Sequence, residues 1–368
     1  MRVLLASTGL GLLVLAGSAA AGQPSAHTLR KSATGPIEAV AQDGNLAAWF
    51  TFSNPQGPCD EVHVLSPGRR DRSLPQPSSG SMTCGWNLED GQPQLAIAGR
   101  MSTAIWTLHE GGPAPFDNVL AASIGGPERQ LHRFAHATDG TGDWLGGVTG
   151  AGRTLAYSWL DVEYVDKLAC LSGGSCQKKI ADGGIRIVSR TTDTPLPGAA
   201  PALGLAAAAG RIAYIPATIV KANHPSASNN TSVSVVDGAS GDLVSQASVR
   251  GIPVAIALSP QVLAVLSQSG GGRARGPHDR ISWFSAIDGT KLGSVSISLQ
   301  AALQIAVSNR LVIYRVGRLL RSVATRNGHI RTLTKTAPNA VGLSLAHGRL
   351  VWAVNKGDTG RLRALAVG

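Results

Sequence analysis

The sequence predicts an all-β protein, a seven-bladed β-propeller of four-stranded antiparallel blades whose last blade is completed by an N-terminal strand. Three observations carry this expectation. Alternating apolar and polar runs, broken by turns rich in Gly, Asp or Asn, recur along the chain. They recur at a nearly regular interval. Helical periodicity is nowhere sustained.

The clearest unit is SVSVVDGASGDLVSQASV, residues 232–249, followed by RISWFSAIDGTKLGSVSIS, residues 280–298, and a weaker LLRSVATRNGHIRTLTKT, residues 319–336. Each is two alternating runs around a tight turn, the signature of a β-hairpin. A different hairpin also recurs: LGLAAAAGRIAYIPA (203–217) before the first unit, LQIAVSNRLVIYRV (303–316) before the third and VGLSLAHGRLVWAV (341–354) after it each pair a small-residue strand with a heavier apolar one. Together the two hairpins make a four-stranded module. First strands begin near residues 37, 94, 144, 203, 253, 303 and 341. That spacing, about 40 to 60 residues, matches a propeller blade. Small residues belong where innermost strands crowd a central channel, and the heavier second strands (LAAWFTF, TAIWTL, RLVWAV) belong between blades. The seventh module ends after RLRALAV without its outer strand. An unpaired edge invites aggregation, so residues 26–34 are expected to supply the missing strand.

Residues 1–21 read as a signal peptide, with one basic residue, an apolar run and small residues ending in Ala19, Ala20 and Ala21. The apolar run is shorter than the roughly 20 residues of a membrane span. No other segment is apolar for long enough to cross, so the mature chain, one propeller domain over 22–368, is expected to be exported without a transmembrane segment. Hydrophobic residues at 43% and charged ones at 15% indicate a folded chain. The net charge of +11 comes mostly from scattered arginines, and aromatics make up only 4%. Nucleic-acid binding is therefore not expected, since it needs a concentrated basic surface and stacking rings. Four cysteines in an exported chain suggest two disulfides, Cys170 with Cys176 across LSGGS and Cys59 with Cys84.

In a four-stranded meander, turns joining strands 1 and 2 share one face with turns joining strands 3 and 4. Links between strands 2 and 3, and between blades, emerge on the other. Here the strand 1–2 turns are tight (AQDGN, GAGR, AHGR), whereas the strand 2–3 links are long in blades 1 to 5. Long loops on a rigid scaffold are where binding and catalysis concentrate. That face is the expected working surface, and Cys59, Cys84, Cys170 and Cys176 all fall on it.

The densest polar cluster there is YSWLDVEYVD, residues 157–166. In an extended strand Tyr157, Trp159, Asp161 and Glu163 share a side, with Asp166 close by. Such a set suits oxygen coordination of calcium, stacking and hydrogen bonding to a sugar, or an acid–base pair for glycoside chemistry. It equally suits a protruding hairpin whose carboxylates are solvated or paired with arginines. His109, His224 and His278 fall in the long links and would meet only above the central channel, whereas His63 sits within a strand of blade 1. GRARG (272–276) suits an anion or a solvated loop tip. No nucleophile elbow, H-E-x-x-H or P-loop is present.

The turns VVDGASG (235–241) and AIDGT (286–290) resemble the strand 3–4 turn, D-x-x-[ST]-G, of the WD40, YVTN and quinoprotein-like (PQQ-like) propellers. The resemblance spans nearly the whole mature chain as a cadence and implies its architecture. Quinone-binding members carry a tryptophan soon after this turn. Val244, Ser245 and Ser294 stand at the matching positions, so no quinone site or alcohol dehydrogenase activity is implied.

These readings converge on a secreted, monomeric, non-catalytic scaffold binding a protein or glycan of the cell envelope through the long-loop face. No cofactor is expected beyond calcium. The alternative is a carbohydrate-active hydrolase or lyase using Asp161 and Glu163.

Overall fold

The computed structural model describes residues 25–32, 35–51, 61–66, 71–74, 94–110, 116–137, 139–172, 176–189, 192–219, 225–228, 230–268, 279–297 and 301–367. The expected signal peptide, the Cys59 and Cys84 pair, and the GRARG loop lie outside these residues. No helix among them is long and apolar enough to cross a membrane.

Seven four-stranded antiparallel sheets are arranged as propeller blades, each running from an inner to an outer strand. The inner strands are Ile37–Asp43, Leu95–Ala98, Gly142–Ala151, Ala202–Ala208, Ile252–Leu258, Ala301–Val307 and Ala340–Ala346, all starting within two residues of the sequence expectation. Steric crowding explains their composition. A Cβ on Gly146 would lie 1.8 Å from the Ala202 carbonyl oxygen of the next blade.

The core is seven apolar clusters, each shared by two neighbouring blades. Second strands supply their bulk, as the heavy residues there predict: Trp49, Phe50, Ile105, Trp106, Tyr314 and Trp352 are all buried. Burying a side chain of this size contributes roughly 1.5–3 kcal/mol before entropy is charged against it.

Blade 7 takes three strands from the chain's end, Ala340–Ala346, Arg349–Lys356 and Thr359–Ala366, and a fourth from its beginning. The strand His27–Lys31 pairs antiparallel with the last of these, His27 opposite Ala364 and Lys31 opposite Arg361. The Arg363 guanidinium fastens the closure by donating to the Ala26 carbonyl at 2.8 Å and Thr28 Oγ1 at 3.2 Å. Asn355 then ties blade 7 to blade 1: its Oδ1 accepts from the Ile37 amide and its Nδ2 donates to the Ile37 carbonyl, both at 2.9 Å.

Candidate functional site

The two faces differ in how they are built. On the face of the strand 1–2 turns, Asp43 Oδ2 accepts the amides of Gly99 and Gly152, each at 2.6 Å. One carboxylate thus joins the turns of blades 1, 2 and 3. Arg349 Nε donates to Gln42 Oε1 at 3.0 Å, and Gln42 Nε2 donates to the Ala346 and Arg349 carbonyls, which joins blade 1 to blade 7. Short turns bonded to one another leave little room for a ligand.

On the opposite face, blade 3 projects. Its second and third strands, Thr154–Tyr164 and Lys178–Val188, run eleven residues each and carry a short helix, Lys167–Leu171, at their tip. Much of what the sequence presents as a loop is therefore an extension of the sheet. Asp166 caps the helix by accepting the Ala169 amide at 2.9 Å, and the Cys170–Cys176 disulfide closes the tip. Tyr164 donates to Asp139 Oδ2 at 2.8 Å and the Lys178 ammonium donates to the Asp139 carbonyl, so the base of the projection is braced as well. At the tip Val165, Leu168 and Leu171 are 57%, 79% and 75% exposed. Blade 4 adds a small hairpin, Thr218–Ile219 with Pro225–Ser226, whose first strand lies against the projection.

The expected polar cluster divides into parts with different environments. Tyr157 is fully buried; its hydroxyl donates to Asp193 Oδ2 at 2.5 Å, and Arg186 Nε donates to the same oxygen at 2.6 Å. Burial and the bond to Asp193 push the phenol far above its usual range, and this triad belongs to the scaffold. Trp159 is half-buried, its ring 6.4 Å from that of His132 in blade 2. Asp161 lies opposite Asp143 on one side and Asp182 on the other, a row of three carboxylates across adjacent strands. Burial, then Asp143, Glu163 and Asp182, raise its pKa. Glu163 is exposed, 4.0 Å from the Lys179 ammonium. Among the described residues no His, Cys, Asp and Glu group is placed to hold a metal.

Of the three histidines in the long links, only His109 lies among the described residues. His109 pairs across from Asp117 near the end of Thr103–Glu110, while His224 and His278 lie outside the description. His63 stacks on Trp49 at 5.1 Å with its Nε2 3.1 Å from Glu61 Oε2, and burial lowers the imidazole pKa, which makes it part of blade 1.

A second feature of this face has no counterpart in the sequence expectations. Where the inner strands begin, the central channel opens into a cavity of about 290 Å³. Glu38, Gln94 and Gln304 supply its polar side chains, and Val40, Leu95, Ile256, Ile305 and Leu343 its aliphatic wall. Burial raises the Glu38 pKa. Further along, the channel is lined by small and aliphatic residues of all seven blades. No motif marks Glu38; only its position near the start of an inner strand, among apolar neighbours, could have singled it out.

No protein-family model matches the chain, and no curated protein is similar to it in sequence. Solved structures are similar in shape. The β-propeller domain of Myceliophteria thermophila Cps50 (Swd1) superposes with a TM-score of 0.54 at 10% identity, covering 94% of this chain and 100% of that one. What they share is the β-propeller fold. The Pan2 WD40 domain of Neurospora crassa (TM-score 0.48, 12% identity, 94% and 98% covered) and BamB of Moraxella catarrhalis (0.44, 15%, 89% and 85%) are more distant. At such identities the likeness extends to architecture alone, and function must be argued from this chain's own surfaces.

Proposed function

We propose that the protein is an exported binding scaffold that engages a protein or glycan of the cell envelope through its long-loop face. The observation that carries this is the blade 3 projection. Three large apolar side chains stand in solvent on a tip that a cap, a disulfide and a braced base hold in place. Exposed apolar groups of this kind mark interaction sites, and preorganising them lowers the entropy cost of binding. The opposite face offers short turns bonded to one another. The leader expected from the sequence of residues 1–21 supports export.

The test is to replace residues 165–177, and separately the blade 4 insertion, with the short turn used elsewhere in the chain, and to measure binding to envelope fractions and purified glycans. Loss of binding with thermal unfolding nearly unchanged supports the reading; unaltered binding refutes it.

One observation favours a second reading, an enzyme acting on carbohydrate. Asp161 holds its proton more tightly than an ordinary carboxyl and stands near Trp159, an arrangement suited to a general acid beside a sugar. Turnover of a glycan by the wild type that Asp161→Asn and Glu163→Gln abolish would establish it.

A further inference from the structure

The cavity at the channel mouth carries chemistry of its own, distinct from the blade 3 projection. Glu38 is the one ionisable side chain among its described lining residues. It sits on the inner strand Ile37–Asp43, partly buried, and has no hydrogen bond or ion pair within the described residues. A carboxylate in such a place is partly shielded from water without a partner among the described residues, a cost that a matching cation would offset.

The remaining lining narrows the ligand. An anion would meet the like charge of Glu38. The described lining contains no aromatic residue on which a sugar ring would stack. The walls formed by Val40, Leu95, Ile256, Ile305 and Leu343 are aliphatic, which suits a methylene chain. Gln94 is fixed at the rim: its Oε1 accepts the Val148 amide at 3.0 Å and its backbone N–H donates to Thr107 Oγ1 at 2.9 Å. That leaves the Gln94 Nε2 and the Gln304 carboxamide to bond polar groups at the entrance. At about 290 Å³ the cavity lies at the small end of ligand sites. The mouth has the size for a short chain.

We infer that the channel mouth binds a primary alkylammonium group, its nitrogen on the Glu38 carboxylate and its methylenes against the aliphatic wall. The inference rests on the reading that the long-loop face is the working surface, and it names one chemical element of what that face recognises. The ammonium belongs either to a free diamine or to a lysine side chain of a bound protein.

The probes are 1,5-diaminopentane, the neutral 1,5-pentanediol of the same length, a lysine-containing tripeptide and its Nε-acetylated form, titrated by NMR in amine-free buffer. The diamine is expected to bind the wild-type protein, with Glu38→Gln weakening it at least tenfold and the diol not binding. Competition by the lysine peptide but not its acetylated form assigns the site to a protein side chain; binding of the diamine alone assigns it to a free amine. Equal binding by Glu38→Gln, or none by the wild type to either amine, overturns the inference. Should Glu38→Gln fail to fold, the Glu38 Cδ resonance of the wild type gives the same answer, since it moves on titration only if the head group reaches it. Amines that do not bind, combined with blade 3 grafts that abolish envelope binding, would refute this site and leave the face reading intact. Amine binding at Glu38 with ineffective grafts would do the reverse.

Discussion

Asp43 Oδ2 accepts the amide of Gly152, a residue 109 positions away, at 2.6 Å, and it takes the Gly99 amide at the same distance. Hydrogen bonds to a charged group contribute about 1.5–3 kcal/mol each. Replacing Asp43 with Ala is expected to cost about 2–4 kcal/mol in denaturant unfolding, some of the gross loss being recovered by water. Asp43→Asn should cost less. Gly99→Ala should also destabilise, because its Cβ would stand 2.8 Å from Asp43 Oδ2.

Ring closure offers a sharper test. Removing residues 25–32 leaves Thr359–Ala366 as an unpaired edge and strips Arg363 of both its acceptors. The truncated protein is expected to aggregate and to lose a single cooperative melt. A monomeric truncated chain with an unchanged melting temperature would show that closure lies elsewhere.

A pH effect follows from Glu128, whose carboxyl burial pushes up to about 7 from its ordinary 4.5. Between these two values the folded protein holds a proton that the unfolded chain releases. Stability from this group is therefore complete below pH ~4.5, falls as pH rises to about 7, and is level above that. Glu128→Gln should then stabilise by about 1–2 kcal/mol above pH 7, allowing for partial screening, and by little near pH 4.5. Chemical unfolding at a series of pH values checks the sign.

The disulfide acts locally. The bridge closes a loop of only six residues of separation at the blade 3 tip, so Cys170→Ser with Cys176→Ser should change global stability by less than about 0.5 kcal/mol while speeding amide exchange at the tip. A large global loss would mean that the projection belongs to the folding core.

Architecture was legible because inner-strand crowding and inter-blade packing act on every blade, so the small-then-heavy strand pair repeats seven times. The N-terminal closing strand was legible for a related reason: a seventh module lacking its outer strand needs a partner. The site was less legible. Tyr157 reads as a member of a ligand-binding cluster in a polar run, yet it lies in the core because Arg186 and Asp193, some 30 residues onward, supply its partners. The Asp143, Asp161 and Asp182 row depends on strand register, and Glu38 on a ring closed from seven separate strands. Neither is marked by a local motif.

The central claim is that the long-loop face, not the turn face, meets the partner. Site-specific photo-crosslinking in intact cells tests it most directly, with the photoreactive group at Leu168 on the blade 3 tip or at exposed Ala239 in the DGASGD turn. We expect a discrete adduct from position 168 and none from position 239; adducts from 239 alone would contradict the assignment of the working face.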